Sequence, residues 1–464
     1  MSLLPALADA EPAPYWLATA DAPAPRAPLR GRIDADLLVI GGGLTGLWTA
    51  LQALEQRPGS SVVVLEAQRL ASGASGRNGG FCSPSLTHGV ANGMARWPRE
   101  MPTLQRLGRE NMAAIRAAID AYDIDCHLED GGELRVATRE HELAGLAEEA
   151  RTLVQLGDEP LLLDREAVRE QVASPTYLGG LWQRDDHHLL DPARLCWGLA
   201  DAVTGLGGRL FEESVVESLV TAGAHLEAET SGGVVRADRA VLATSAFPPL
   251  FRAMRRYVLP VYDYVLVTEP LDPAQLASLG WRHRQGIGDS GNRFHYYRLT
   301  HDNRILWGGY DAIYYRGNGF GPQLEQRPDS FNLLARHFAD TFPQLADVRF
   351  THRWGGAIDT CSRFSVMFGR AREGRVVYAV GFTGLGVGAS RFAGGVALDL
   401  LHGESNERTA LRMVRRRPIP FPPEPLRSAV VNRTRRALAR ADERGGRRGW
   451  WLRTLDRLGL GFDS

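Results

Sequence analysis

Asp36-Leu37-Leu38-Val39-Ile40-Gly41-Gly42-Gly43-Leu44-Thr45-Gly46 decides the fold of this 464-residue chain. An apolar run ends in three glycines, and a helical pattern through Leu47, Ala50, Leu51 and Leu54 continues to about Glu55. A second apolar run, Ser61-Val62-Val63-Val64-Leu65, ends on Glu66, twenty residues after Gly46. The pattern reads as strand, tight turn, helix, strand. Gly41 allows the turn, Gly43 lets backbone approach a pyrophosphate, and Gly46 lets the helix pack on the strand. The helix N-terminus turns its free N–H groups toward the phosphates, and Glu66 stands where a carboxylate binds both hydroxyls of an adenosine ribose. Gly-x-Gly-x-x-Gly alone is a weak signal, and a glycine-rich turn in another α/β protein is the competing reading. The strand before it, the helix after it and the spacing to Glu66 favour dinucleotide binding.

The length allows two domains, or one with a sizeable insertion. Apolar content of 44% and charged content of 23% are ordinary for a globular protein. The formal net charge is zero, so nothing global points to nucleic acid. The chain contains no lysine, and all 54 basic residues are arginine. No lysine can act as base, Schiff-base former or oxygen-activating cation, and arginine cannot replace it as a base because it does not deprotonate. Cys82, Cys126, Cys196 and Cys361 lie far apart without a Cys-x-x-Cys pair, which argues against a structural disulfide framework, a zinc site and a disulfide-reductase centre. The first 32 residues are Ala/Pro-rich without a basic start, so no signal peptide is read. No run approaches the ~20 apolar residues that span a bilayer. The expected location is cytoplasmic.

Residues 1–32 read as an extended arm with Tyr15-Trp16 as an anchor. Gly73-Ala74-Ser75-Gly76-Arg77-Asn78-Gly79-Gly80 is too rich in glycine for a stable helix or strand. Helical spacing covers Leu104 to Tyr122, 143–156, 165–172 and Asp191 to about Thr204. Strands are read at Glu133–Ala137, 208–216 and 238–245. Residues 258–269 and 293–311 alternate as antiparallel strands, the second with a hairpin at Asp302-Asn303. A strand at Val376–Val380, a Gly-rich loop at 381–388 and a helix from about Ser390 to Leu401 follow.

From the loop Gly73–Gly80 onward the chain resembles the D-amino-acid oxidase family of FAD-dependent oxidoreductases. Tyr15-Trp16-Leu17 followed by that loop is similar to the branch containing gamma-glutamylputrescine oxidoreductases. Leu190-Asp191-Pro192-Ala193-Arg194-Leu195 matches the family's helix start, and Val216 falls where members hold adenine through a backbone group. Val241-Leu242-Ala243-Thr244-Ser245 resembles the Ala-Thr-Gly turn, with Ser245 in place of glycine. Gly381-Phe382-Thr383-Gly384-Leu385-Gly386-Val387-Gly388 resembles the C-terminal flavin loop. A second Gly-x-Gly-x-x-Gly unit for NAD(P)H is missing, which argues against the monooxygenase and disulfide-reductase branches.

The resemblance implies an α/β fold: a Rossmann-like FAD-binding domain with an inserted α+β substrate domain built on an antiparallel sheet. The FAD domain takes 33–100, 190–248 and 351–403, the substrate domain 101–189 and 249–350, and an Arg-rich helical extension 404–464. The cofactor implied is non-covalent FAD, with Cys82 and Cys361 as core residues. Its ligands would be Gly41, Gly43, Gly46, Glu66, Ser75, Arg77, Asn78, Gly79, Gly80, Val216, Thr244, Gly384, Leu385, Gly386 and Val387. The helix after the 384–388 loop would point its dipole at the flavin N1/C2=O edge, worth roughly 0.3–1 kcal/mol.

Departures from the family pattern bear on the substrate. Members that oxidise free amino acids place an arginine where this chain has Ile358, and others use one where it has Thr383. A buried carboxylate without a partner is costly, so amines are favoured over simple amino acids unless Arg298 substitutes. Trp307 falls at the oxygen-activating lysine of sarcosine-oxidase-like members, leaving oxygen and another electron acceptor both open. With Asp302-Asn303 as the turn, Phe294, Tyr296 and Arg298 share a face with Ile305, Trp307, Gly309 and Asp311. That face is expected to line the cavity, with Tyr264 on the neighbouring strand. Tyr296, Trp307 and Tyr264 would supply aromatic walls, and Asp311 a partner for a cationic amine. The reaction expected is oxidation of an amine C–N bond by hydride transfer to flavin N5, the imine then hydrolysing to an aldehyde. The alternatives are an amino-acid oxidase or dehydrogenase of the same family, an NAD-linked dehydrogenase, and a non-catalytic FAD-binding subunit.

Residues 408–464 hold fifteen arginines against five acidic residues, with helical patterns at about 426–443 and 449–458. Basic residues with Trp450, Trp451 and Leu452 on a short helix can lie on an anionic membrane. A strap packed on the protein's own body is the other reading, and the neutral overall charge favours it.

Overall fold

The computed structural model describes residues 2–19 and 21–461. The opening stretch forms strand Gly31–Ile40, helix Leu44–Gln56 and strand Val62–Leu65. All four residues of Val62–Leu65 are buried, as in a parallel sheet covered on both faces. The first sheet has the order Met367–Ala371, Val376–Val380, Gly233–Leu242, Gly31–Ile40, Val62–Leu65, Arg209–Phe211. Its last five strands run parallel, and Met367–Ala371 is an antiparallel edge. The helix Met101–Ala121, expected in the substrate domain, instead sends Met112, Ile115 and Ala118 into the core shared with Val39, Val64 and Val241. Its apolar stripe is satisfied by the nucleotide-binding half of the molecule.

The second sheet has nine strands. Leu259–Thr268 is central at one end, flanked by Ile305–Gly309, then His295–Leu299, Gly286–Asp289 and Glu133–Ala137. Phe350–Thr360 pairs with Leu259–Thr268 along its whole length, Thr360 opposite Leu259 and Phe350 opposite Thr268. The expected boundary at 351 is therefore corrected: the chain re-enters the first sheet only at Met367. The glycines of Trp354-Gly355-Gly356 admit close neighbours within this strand. A Cβ on Gly355 would come within 2.8 Å of the Tyr264 ring, and one on Gly356 within 3.3 Å of the Arg77 side chain.

The hairpin is where pattern and structure part. Tyr296 lies opposite Gly308, Tyr297 opposite Trp307 and Arg298 opposite Leu306. Thr300 closes the turn through its N–H to the Arg304 carbonyl (2.8 Å), and Asn303 has a φ of 61°. A loop of three residues ending in a left-handed one shifts the pairing by a single position. A one-residue slip exchanges the two faces for every side chain on the partner strand.

The C-terminal extension lies on the body of the protein. Ser362 Oγ donates to the Ile419 carbonyl (2.6 Å), and Phe421 N to that of Arg256 (2.7 Å). Glu424 accepts from Tyr314 Oη (2.7 Å) and Gly317 N (3.0 Å). Helix Leu426–Glu443 follows, and near its end Asp442 accepts from Asn292 Nδ2 (2.6 Å). Trp451 Nε1, on helix Trp450–Arg457, donates to Thr434 Oγ1 (3.0 Å). Among the described residues no helix is long and apolar enough to cross a membrane.

Candidate active site

One continuous cavity of about 1120 Å³ is lined from both sheets, reaching from the glycine turn to the extension helix Leu426–Glu443. Gly41 sits at φ +116°, and a Cβ there would lie 2.5 Å from the Ala243 carbonyl oxygen. Gly43 faces the cavity, with Ser75 Oγ 2.7 Å from where its Cβ would be. Ser75 Oγ in turn accepts from Leu44 N (3.0 Å), holding the first turn of the helix. Gly46 is not part of the lining; a Cβ on it would collide with the Gly41 carbonyl, so it serves helix–strand packing. Glu66 Oε2 accepts from Gly42 N (2.6 Å) and Oε1 from Gln68 N (2.8 Å). Burial pushes this carboxyl up. Each oxygen keeps a second lone pair for a ribose hydroxyl. Val216 and Thr244 also line the cavity.

The loop after the second strand is organised by its own asparagine. Asn78 Nδ2 donates to the carbonyls of Ala74 (3.0 Å) and Ser75 (2.7 Å), while Oδ1 accepts from Gly80 N (2.8 Å). The arm's Trp16 Nε1 donates to the Asn78 carbonyl (2.7 Å), and Trp354 Nε1 to that of Arg77 (3.0 Å). Arg77 spans to the other half of the molecule, pairing with Glu325 (2.5 Å) and the Gly355 carbonyl (3.1 Å). Arg77, Asn78 and Gly79 line the cavity. Gly80 does not; its carbonyl accepts from Leu190 N (2.9 Å). Arg298 is fully buried behind it, donating to the Leu190 carbonyl (2.9 Å) with Glu129 at 3.7 Å. Burial lowers its pKa to about 10. It braces this loop and is not offered to a substrate, which corrects its reading as a carboxylate partner.

Gly384, Leu385, Gly386 and Val387 line the cavity where helix Gly386–His402 begins. The first N–H groups of a helix have no intrahelical partner, so this end carries partial positive charge. Asp359 Oδ2 accepts from Gly381 N (2.7 Å), tying the long strand to this loop, and burial pushes the carboxyl up to about 7. Ile358 and Thr383 both face the cavity.

Tyr296 lines the cavity, and its hydroxyl donates to Asp263 Oδ2 (2.6 Å). Asp263 Oδ1 accepts from the backbone N–H of Tyr264 (2.6 Å) and Gly309 (3.1 Å). Burial raises this carboxyl to about 6 against those hydrogen bonds. Gly79 is the glycine this pair requires, since a Cβ there would stand 2.8 Å from the Tyr296 ring. Asp311 also lines the cavity and accepts from Ser330 Oγ (2.6 Å).

Two expected residues are elsewhere. Trp307 is fully buried on the opposite face, 4.4 Å from Tyr297 and 5.7 Å from Phe338 between ring centroids. Tyr264 is buried on that face too, its hydroxyl bonded to Tyr315 Oη (2.8 Å) and the Leu324 carbonyl (2.8 Å). Leu266 stands opposite Trp307, so strand parity gives the cavity Asp263 and Val265. Asp263 was missed; its signal is a lone acid within the otherwise apolar and aromatic run Leu259–Thr268. Cys82 and Cys361 do not line the cavity. Cys361 Sγ donates to the carbonyl of Ser365 (3.1 Å), and Cys82 packs on Met112 (4.0 Å).

The raised carboxyl of Asp263 gives a pH signature. Its folded pKa exceeds the ordinary aspartate value, so the native state binds more protons and loses stability as pH rises between about 4 and 6. Asp263→Asn is expected to be stabilised relative to wild type at pH 7–8 and not at pH 4. Melting curves across that range check this, and a constant offset at every pH would contradict it.

A glycine turn open to a dinucleotide, joined to a cavity lined from both sheets with a helix N-terminus at the junction, is the arrangement of a dinucleotide-dependent oxidoreductase. The chain belongs to the FAD dependent oxidoreductase (DAO) family, which matches residues 36–400. The gamma-glutamylputrescine oxidoreductase of Escherichia coli K12 is 34% identical over 413 residues, covering 88% of this chain and 92% of that protein. A probable oxidoreductase of Haemophilus influenzae is 29% identical, covering 83% of this chain and 86% of its own. Among solved structures, glycine oxidase from Geobacillus kaustophilus superposes with a TM-score of 0.69 at 19% identity, covering 83% of this chain and 99% of that one. The protein is thus an enzyme that uses FAD.

Proposed function

We propose that the enzyme oxidises the terminal amine of an elongated amine substrate whose reacting carbon bears no carboxylate. The observation that carries this reading is the cavity lining: Ile358 and Thr383 face it at the two places where an arginine would pair an α-carboxylate, and Arg298 is committed to backbone carbonyls. The E. coli relative is a gamma-glutamylputrescine oxidoreductase, and that substrate type, an amine on a short chain capped by an amino acid, suits such a cavity.

Gly41, Gly43, Glu66, Ser75, Val216 and Thr244 would hold the adenosine and pyrophosphate of FAD. Asn78, Gly79 and the Gly384–Val387 turn would hold its ring system, with Gly46 and Gly80 acting through packing. Arg77 would join them from the bridge to Glu325. When bound, FAD supplies the two-electron acceptor for the C–N bond. Attachment is non-covalent in this reading, since both candidate thiols are engaged outside the cavity. Asp263 and Asp311 draw a cationic amine into the pocket. Loss of hydride requires the amine lone pair, so the ammonium must first give up a proton. Asp263, raised toward neutrality, takes it through the hydroxyl of Tyr296. The resulting imine is hydrolysed by water to an aldehyde and ammonia.

Anaerobic mixing tests the substrate class. Amines without an α-carboxylate are expected to bleach the flavin band faster than glycine, sarcosine or D-alanine. Faster reduction and tighter binding by a simple α-amino acid would place a carboxylate site where this reading has none.

A further inference from the structure

The arginines that line the cavity can be matched to partners one by one. Arg77 pairs with Glu325, Arg135 with Glu149 and Arg293 with Asp442. Arg435 and Arg436 have no ion pair or hydrogen bond among the described residues, and both line the cavity. Arg436 is exposed and solvated, but Arg435 is half-buried, and its Nε is cut off from solvent without an acceptor. Arginine cannot shed its proton to relieve that position. The Nε of this guanidinium is short of an acceptor, and no carboxylate of the described residues pairs with the group as Glu149 and Asp442 do with Arg135 and Arg293.

Its place in the fold is equally specific. Val430, Val431, Thr434, Arg435, Leu438 and Ala439 recur at the spacing of one helix face, and all six line the cavity. That face belongs to Leu426–Glu443, beyond the family match that ends at residue 400. The helix is fixed at both ends, by Glu424 on Tyr314 and Gly317, and by Asp442 on Asn292. Trp451, on the following helix, hydrogen-bonds to Thr434 of this face. The extension is therefore a roof over the substrate cavity, and among the described residues the only unpaired cation it turns inward without full solvation is Arg435. The sheet below contributes the opposite sign through Asp263 and Asp311.

We propose that Arg435 reads a carboxylate at the end of the substrate remote from the reacting amine. This rests on the amine-oxidation reading above and deepens it: the substrate is an elongated zwitterion, cationic over the sheet and anionic under the roof helix. The planar fork of arginine binds a carboxylate through two parallel hydrogen bonds, which a diamine without a cap cannot accept.

The test uses N5-butyl-L-glutamine, a γ-glutamyl amide that carries the amino-acid cap and lacks the terminal amine. Calorimetric titration of the full-length, FAD-loaded enzyme is expected to show binding that weakens roughly 10- to 100-fold in Arg435→Gln. Arg435→Lys, which keeps the charge and loses the fork, should fall between the two and serves as the deciding variant if the glutamine form does not fold. In stopped-flow flavin reduction, the preference for N-γ-glutamyl-1,4-diaminobutane over free 1,4-diaminobutane should drop by a similar factor in Arg435→Gln. Equal binding of the amide by wild type and both variants overturns the proposal, as does a wild type that does not bind it. Arg435-dependent binding in an enzyme that no amine reduces would sink the amine reading and leave the carboxylate site standing. Reduction by amines with no dependence on Arg435 would do the reverse.

Discussion

Valine in place of Gly43 is expected to give a folded protein that purifies without FAD. Even a methyl group at this position meets Ser75 Oγ at 2.7 Å, and that oxygen is the acceptor for Leu44 N. The two γ-methyls of valine extend further into the cavity that Gly43 lines, where phosphates would meet the helix N-terminus. The cradle and the helix start are disturbed together, while the sheet beneath, with Val39 and Val64 in its core, keeps its packing. Flavin released from the denatured protein, measured against protein concentration, gives the result directly. A valine variant with full flavin content would end the assignment of this turn to the cofactor.

Removing residues 418–464 should have the next largest effect. The extension supplies buried or half-buried hydrogen bonds that link Ile419 to Ser362, Phe421 to Arg256, Glu424 and Arg427 to the segment 314–318, and Asp442 to Asn292. At about 1 kcal/mol for each hydrogen bond, the melting temperature should fall by roughly 5–10 °C. The chemistry should remain of the same kind, because the cradle and the Tyr296–Asp263 pair lie outside the deleted segment. An unchanged melting temperature, together with salt-sensitive binding of the full-length protein to anionic vesicles, would favour the membrane reading of the tail.

What could be read from the sequence was what local patterns determine. The glycine turn, its helix and Glu66 are contiguous, and their placement follows from backbone geometry that nearly dictates the residue types. Strand Val376–Val380 and helix Leu426–Glu443 carry periods clear enough to place within a residue or two. The substrate pocket was less legible because it depends on register. One left-handed residue, Asn303, moved Trp307 from the expected cavity wall into the core, and the same parity put Tyr264 there and Asp263 in the pocket. Nothing local to the turn distinguishes a two-residue from a three-residue loop when both contain Asp-Asn.

Long-range partners were hidden for a different reason. Arg298 looked available because its acceptors, the carbonyls of Gly80 and Leu190, are backbone groups far away in sequence. The extension was read as a strap on the protein's own body, but its arginine count says nothing of which face is turned inward. Its residues at 430, 431, 434, 435, 438 and 439 do form a helical stripe, and that spacing was the available signal. The strand Phe350–Thr360 was counted with the nucleotide-binding half, whereas it pairs in the second sheet, where its glycines make room for Tyr264 and Arg77.

One anaerobic experiment decides whether an amine is the substrate: the purified yellow enzyme is mixed with N-γ-glutamyl-1,4-diaminobutane, the flavin band is followed in time, and the products are analysed after quenching. Bleaching of the band in a single turnover, with an aldehyde formed at the terminal carbon and the amino-acid cap intact, is the predicted result. A band that stays unbleached by this and every other amine, or that is bleached faster by glycine or D-alanine, would contradict it.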